Sequence, residues 1–325
     1  MYLFFIKKDE VITLKKLSLC FMAIIAVFVI AACGSKDAQS DAKKKETVAI
    51  QHSSGSTDVP KNPKKIVVFN FGVLDTLDQL GLGDRVVGLP KQNIPSYLKQ
   101  YKDKKYESVG GLKEPDFEKI AELAPDLIII EGRQAEQYDE FKRIAPTINI
   151  ELDDQNYMKS FKENTESIGK IFGKEDAVKD ALAKIDAQVE KTNKLAKEKG
   201  GKGLVVLTND KHISAYGKGS RFGLVHDVLG VAPADQNIKA SLHGQSVSSE
   251  YISEKNPDYL FVIDRSAAIG EKGSAKEVIE NEIVKSTNAY KKGHIIYLDP
   301  GYWYLSGGGL ESVSEMVKEI ENGLK

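Results

Sequence analysis

Cysteine is nearly absent. The 325-residue chain has two, Cys20 inside an apolar run and Cys33 immediately after it. Lys15 and Lys16 precede that run, which extends from Leu17 to Ala32 and exits through Ile30-Ala31-Ala32-Cys33-Gly34. A basic start, an apolar stretch and a small-residue exit predict a secretory signal peptide over residues 1–32. The run is short for a bilayer core, which needs about 20 apolar residues. Small residues directly before a cysteine mark the end of a lipoprotein signal, so Cys33 is the expected lipidation site. That places the mature chain on the extracytoplasmic face of the cell membrane, attached through its lipid anchor only. Cys20 leaves with the signal and Cys33 carries the lipid. No thiol then remains for a disulfide, a zinc–thiolate site or a cysteine nucleophile.

Other scarcities narrow the field further. No G-x-S-x-G, H-E-x-x-H or C-x-x-C occurs, and no enzyme activity is expected. Net charge is −1; without Lys7, Lys8, Lys15, Lys16, Asp9 and Glu10 it becomes −3. A mildly acidic body is a poor nucleic-acid binder. Arginine is rare among 46 basic residues, being confined to Arg85, Arg133, Arg143, Arg221 and Arg265. Lysine serves solubility here, so each planar, permanently charged guanidinium stands out.

What is present is an α/β pattern. Residues 33–59 are rich in Ser, Lys, Asp and Gln and are expected to form a flexible tether. Continuous apolar runs then predict strands covered on both faces, as in parallel sheets: Ile66–Phe69, Val86–Leu89, Leu127–Ile130, Thr147–Ile150, Leu204–Leu207, Leu260–Ile263 and Ile295–Leu298. Between the two groups, Val178, Leu182, Ile185, Val189 and Leu195 keep helical spacing until Gly200-Gly201 ends it. The expected organisation is an N-terminal lobe over residues 60–173, a connecting helix over 174–200 and a C-terminal lobe over 201–325. Each half repeats E-x-I-x-E-x-x-P-D before a buried strand, at Glu118–Asp126 and Glu250–Asp258, which suggests a duplicated lobe.

Arg133 and Arg265 follow the ends of strands, where α/β sheets bind ligands, and Arg221 lies in a glycine-laden loop. Converging on one cleft, the three would trap a polyanion; separately, each would make a local ion pair. The five histidines leave the N-terminal lobe without one, so a site for a bare zinc or manganese ion fed by both lobes is not expected. His243 is open to two readings, one ligand of a metal that arrives already complexed or a hydrogen-bonding loop residue. The only tryptophan stands in Tyr302-Trp303-Tyr304, where the rings either meet an aromatic ligand or pack in the core. The following Gly307-Gly308-Gly309 lacks the Gly-Lys-Ser/Thr of a phosphate loop.

The stretches S-R-F-G-L-V-H-D, D-Q-N-I-K-A-S-L-H-G-Q-S, N-P-D-Y-L-F-V-I-D-R and Y-L-D-P-G-Y-W-Y-L-S-G-G-G-L-E-S resemble the iron-siderophore substrate-binding proteins of ABC importers. The nearest group is the catecholate and petrobactin-type binders of Gram-positive bacilli, and the similarity runs from about Pro60 to the end. It implies a periplasmic-binding-protein-like fold of the helical-backbone class, with two α/β lobes joined by one long helix. It implies no intrinsic cofactor, a ferric siderophore as ligand, and a permease with its ATPase as partner. By position it implies anion-binding roles for Arg133, Arg221 and Arg265, and for Lys91 as a further cation. His243 and Tyr304 would ligate iron only with tetradentate siderophores, and Glu118 and Glu250 would contact the permease. Other cargoes on the same scaffold (haem, a cobalamin, a hydroxamate siderophore) and a siderophore-processing esterase are the alternatives.

Overall fold

The computed structural model describes residues 46–272 and 274–325; the signal peptide and Cys33 lie outside the described residues. The chain enters through an antiparallel hairpin, β1 (Thr47–His52) and β2 (Gly55–Pro60). This corrects the expected tether of residues 33–59, which is folded from Thr47 onward. The composition is polar, yet Ile50 and Val59 are buried. Thr57 Oγ1 donates to the Thr147 carbonyl at 2.9 Å and the Ser53 N–H to the Asn149 carbonyl at 3.2 Å, binding the hairpin to the first lobe. His52 therefore belongs to that lobe, which the sequence was expected to leave without histidine; its Nε2 lies 2.9 Å from Thr57 Oγ1.

The N-terminal sheet is wholly parallel. It comprises β3 (Ile66–Val68), β4 (Val86–Leu89), β5 (Glu107–Ser108), β6 (Leu127–Ile130) and β7 (Thr147–Asn149), in the order β5-β4-β3-β6-β7. Helices α1 (Phe71–Gln79), α2 (Phe117–Leu123) and α3 (Tyr138–Ile144) connect them. The continuous apolar runs are explained by burial on two faces. Ile66, Val68, Leu127 and Ile129 pack with Leu74 and Phe161, while Val67, Phe69, Ile128 and Ile130 pack with Ile120 and Phe141. Strand order reverses at β3 and β6, so the crevice beyond their carboxyl ends is where such a sheet offers a binding site.

Two long helices follow, α4 (Tyr157–Phe172) and α5 (Glu175–Lys199), the latter with 25 residues closed by Gly200 at φ 63°. The second lobe is a mixed sheet. Strands β8 (Lys202–Asn209), β9 (His212–Tyr216), β10 (Ala232–Pro233), β11 (Gln245–Val247), β12 (Tyr259–Asp264) and β13 (Ile295–Leu298) adopt the order β11-β9-β8-β12-β13, with β10 beside β8. Strand β9 runs antiparallel to both β8 and β11. Helix α6 (Ser249–Lys255) precedes β12, and α7 (Leu310–Gly323) closes the chain. Among the described residues no helix is long and apolar enough to cross a membrane.

The repeated sequence pattern becomes a repeated structure. Both α2 and α6 have seven residues and end on a left-handed residue, Ala124 at φ 45° and Asn256 at φ 40°. A Pro-Asp pair then starts the strand. Asp126 Oδ2 accepts from the Lys64 and Lys65 N–H groups at 2.9 and 3.1 Å, and Asp258 Oδ2 from the Lys202 N–H at 3.0 Å. Each aspartate thus fixes the start of the strand that pairs with its own.

A second tie joins the lobes besides α5. Asp75, on α1 and fully buried, accepts from the Glu311 and Ser312 N–H groups at 2.8 and 2.7 Å, at the N-terminus of α7. The Tyr97 hydroxyl donates to it at 3.1 Å. A helix N-terminus favours an anion, and the triple glycine admits this one: a Cβ on Gly309 would collide with the Asp75 carboxylate. The anion seated at Gly307-Gly308-Gly309 is the protein's own side chain.

Candidate functional site

Tyr304 stands where the lobes face each other. It lies on Gly301–Ser306, which winds as a single π-helical turn after β13; such wide turns redirect side chains out of helical register. Neighbouring rings therefore diverge. Trp303 is buried, its Nε1–H donating to Glu319 Oε2 at 2.7 Å and its ring 6.5 Å from Phe222. Tyr302 turns to Tyr97, centroid to centroid 4.5 Å. Tyr304 stays half-buried and faces the arginines. Of the two readings open for the rings, Trp303 takes core packing and not ligand contact: its N–H is paired and its ring enclosed.

Arg221 comes from the loop after β9. Its guanidinium carbon lies 4.4 Å from the Tyr304 ring centroid, and Nη2 donates to the Tyr304 carbonyl at 2.6 Å. Arg265, directly after β12, donates from Nε to Tyr304 Oη at 3.0 Å and from Nη1 to Asn209 Oδ1 at 2.6 Å. Arg133, after β6, is the one contribution from the N-terminal lobe. Burial holds its pKa below the ordinary arginine value, Arg221 adds to that depression, and Tyr304 opposes it. Arg221 and Arg265 thus meet on Tyr304, and Arg133 stands within electrostatic reach of Arg221 and Tyr304. Stacking and forked donation together use properties that lysine lacks.

Carboxylates stand close by. Glu131 pairs with Arg133, and Glu271 lies 3.8 Å from Arg265. Burial raises the pKa of Asp154, while Arg221 pulls it back. Tyr216 is likewise raised by burial with Arg221 opposing. Sequence reasoning missed Asn209, Glu131, Asp154 and Glu271, although Glu131 stands two residues before Arg133 at the same strand end.

The remaining expected residues are scattered. His243 is exposed in the turn before β11, beside Leu242, which is 63% exposed. That loop runs close to the cleft: a Cβ on Gly219 would lie 3.9 Å from both Ala240 and Gln155, bringing elements of the two lobes together there. Lys91 is engaged elsewhere, its ammonium donating to the Asp103 carbonyl at 2.8 Å. Glu118 and Glu250 are exposed, each the second residue of its helix. Arg143 is exposed on α3. Glu250 borders an outer depression of about 310 Å³ that includes Ile213, Val278 and Ile283.

Residues 66–302 match the family model described as Periplasmic binding protein. The chain belongs to the periplasmic binding protein family. Among its relatives is the petrobactin-binding protein YclQ of Bacillus subtilis strain 168, 59% identical over 316 residues, which cover 96% of this chain and 100% of that protein. The crystal structure of YclQ superposes with a TM-score of 0.85 at 61% identity, covering 86% of this chain and 99% of the other. The catecholate-siderophore binding protein VctP of Vibrio cholerae superposes with a TM-score of 0.81 at 35% identity, covering 85% and 100%. These periplasmic binding protein relatives share the two α/β lobes and the long backbone helix.

Proposed function

We propose that the chain is the substrate-binding lipoprotein of an ABC importer that captures a ferric catecholate-type siderophore, petrobactin-like in character. It delivers that cargo to a permease and its ATPase for iron uptake. The observation that carries this reading is the meeting of Arg221 and Arg265 on Tyr304, with Arg133 in electrostatic reach of both Arg221 and the tyrosine. A ferric tris-catecholate carries about three negative charges and presents flat rings, so guanidinium groups and aromatic faces are its complement. The petrobactin-binding relative at 59% identity supports this cargo over haem, a cobalamin or a hydroxamate.

Individual roles follow from position. Arg265 and Arg221 act from the C-terminal lobe and Arg133 from the other. Tyr304, with His243 on its exposed loop, completes iron coordination when the siderophore is tetradentate. Lys91 joins as a further cation only by leaving the carbonyls it now serves. Glu118 and Glu250 meet cations of the permease, one per lobe, and Cys33 anchors the chain to the membrane.

The test is a calorimetric and absorbance titration with a ferric tris-catecholate, a neutral ferric trihydroxamate and haemin. Saturable binding of the first, at least about 100-fold tighter than the others, is expected. Equal affinity for the neutral complex or haemin overturns the assignment.

A further inference from the structure

The arginines of the cleft are not bare. Arg133, with 29% of its side chain exposed, is paired with Glu131, at 19%. Arg265 has Glu271 at 3.8 Å, and Arg221 interacts electrostatically with Asp154. Each cation thus has a carboxylate of the protein at hand, which offsets its charge. We propose that Glu131 and Glu271 are place-holding anions that set a charge threshold for cargo. This rests on reading the cleft as a site for a polyanionic complex.

The physical reason is effective concentration. A carboxylate two residues from its arginine, or fixed on the adjoining loop, competes as if present at millimolar concentration or above. A small anion from the medium that touches one arginine gains one charge-assisted contact and must displace an equal one. A larger polyanion engages all three arginines together, and its gain exceeds the displacement. The same carboxylates hold like-charged guanidinium groups near one another in the empty protein, where their repulsion is otherwise uncompensated.

The experiment compares the wild-type chain with the double variant Glu131→Gln, Glu271→Gln. Glutamine keeps the side-chain length and an acceptor oxygen, and it leaves the turn that begins at Gly132 intact, because the Glu131 backbone makes those bonds: its N–H donates to Gln134 Oε1 at 3.1 Å and its carbonyl accepts from the Gln134 N–H at 3.0 Å. Thermal melts establish that the variant is folded. Inorganic phosphate is titrated calorimetrically at fixed ionic strength. The wild type is expected to show no saturable binding, and the variant to saturate in the millimolar range. Adding Arg133→Ala to the variant weakens its phosphate binding. In phosphate-free buffer the variant binds a ferric tris-catecholate about 3- to 10-fold tighter than the wild type, and phosphate erases the gain. A folded variant as indifferent to phosphate as the wild type, with unchanged affinity for the ferric complex, overturns the proposal. The phosphate arm stays readable if the wild type binds no ferric complex, an outcome that defeats only the preceding function.

Discussion

In the N-terminal lobe, a seven-residue helix, a left-handed Ala124 and Pro125-Asp126 lead into β6; in the C-terminal lobe, a seven-residue helix, a left-handed Asn256 and Pro257-Asp258 lead into β12. Beyond those strands the lobes differ. The first adds a parallel sheet and a single cleft arginine, held by its own Glu131. The second adds an antiparallel β9, two arginines fixed on Tyr304, and the exposed loop of Leu242 and His243. The support is duplicated and the recognition is not. Burial of the strand and the Asp-to-backbone bond constrain the repeated element, whereas the loops past the strand ends are free to diverge.

The comparison breaks most visibly at the glutamates. If the two helices present equivalent contacts, Glu118→Ala and Glu250→Ala each lower iron uptake by cells to a similar degree. Together they abolish it, while siderophore affinity in vitro stays unchanged. A double variant that loses binding places these residues in the cleft or the fold; two unequal single variants deny the equivalence of the lobes.

Next in size is the tie at Asp75. Asp75→Ala strands the Glu311 and Ser312 N–H groups without their acceptor, at a cost of about 1–3 kcal/mol in urea unfolding. Burial pushes the Asp75 carboxyl up to about 6 from its ordinary 3.8, against the bonds from α7 and Tyr97. A carboxyl raised in the folded state binds its proton more readily there than in the unfolded chain. Its contribution to stability is therefore full below pH 3.8 and is lost as pH rises through about 6. Asp75→Asn, which cannot titrate, flattens the dependence of stability on pH across that window. A slope unchanged in Asp75→Asn assigns the titration to other groups.

Much of the scaffold was legible. Seven strands and the 25-residue helix α5 followed from apolar runs and helical spacing, because strands covered on both faces and a helix packed along one side leave unambiguous patterns. The hairpin was hidden because a Ser- and Thr-rich segment buries chiefly Ile50 and Val59. The arginine trio was legible through rarity. Trp303 was not, since three adjacent aromatics reveal nothing of which ring a π-helical turn sends inward. Asp75 was equally silent, because an acid on an amphipathic helix reads as solvated until its partners, more than 230 residues away, are brought to it.

The central claim is that three arginines form one site, weighted toward the C-terminal lobe. Its most direct test is a calorimetric titration of a ferric tris-catecholate into Arg133→Ala, Arg221→Ala, Arg265→Ala and Arg143→Ala. Arg221→Ala and Arg265→Ala are expected to lose about 1.5–3 kcal/mol of binding, roughly 10- to 150-fold, because Tyr304 fixes both guanidinium groups in advance. Arg133→Ala falls at or below the lower end of that range, and the exposed Arg143→Ala stays near wild type. A loss in Arg143→Ala equal to the others means general electrostatics, and silence from all three cleft arginines means that no such site exists.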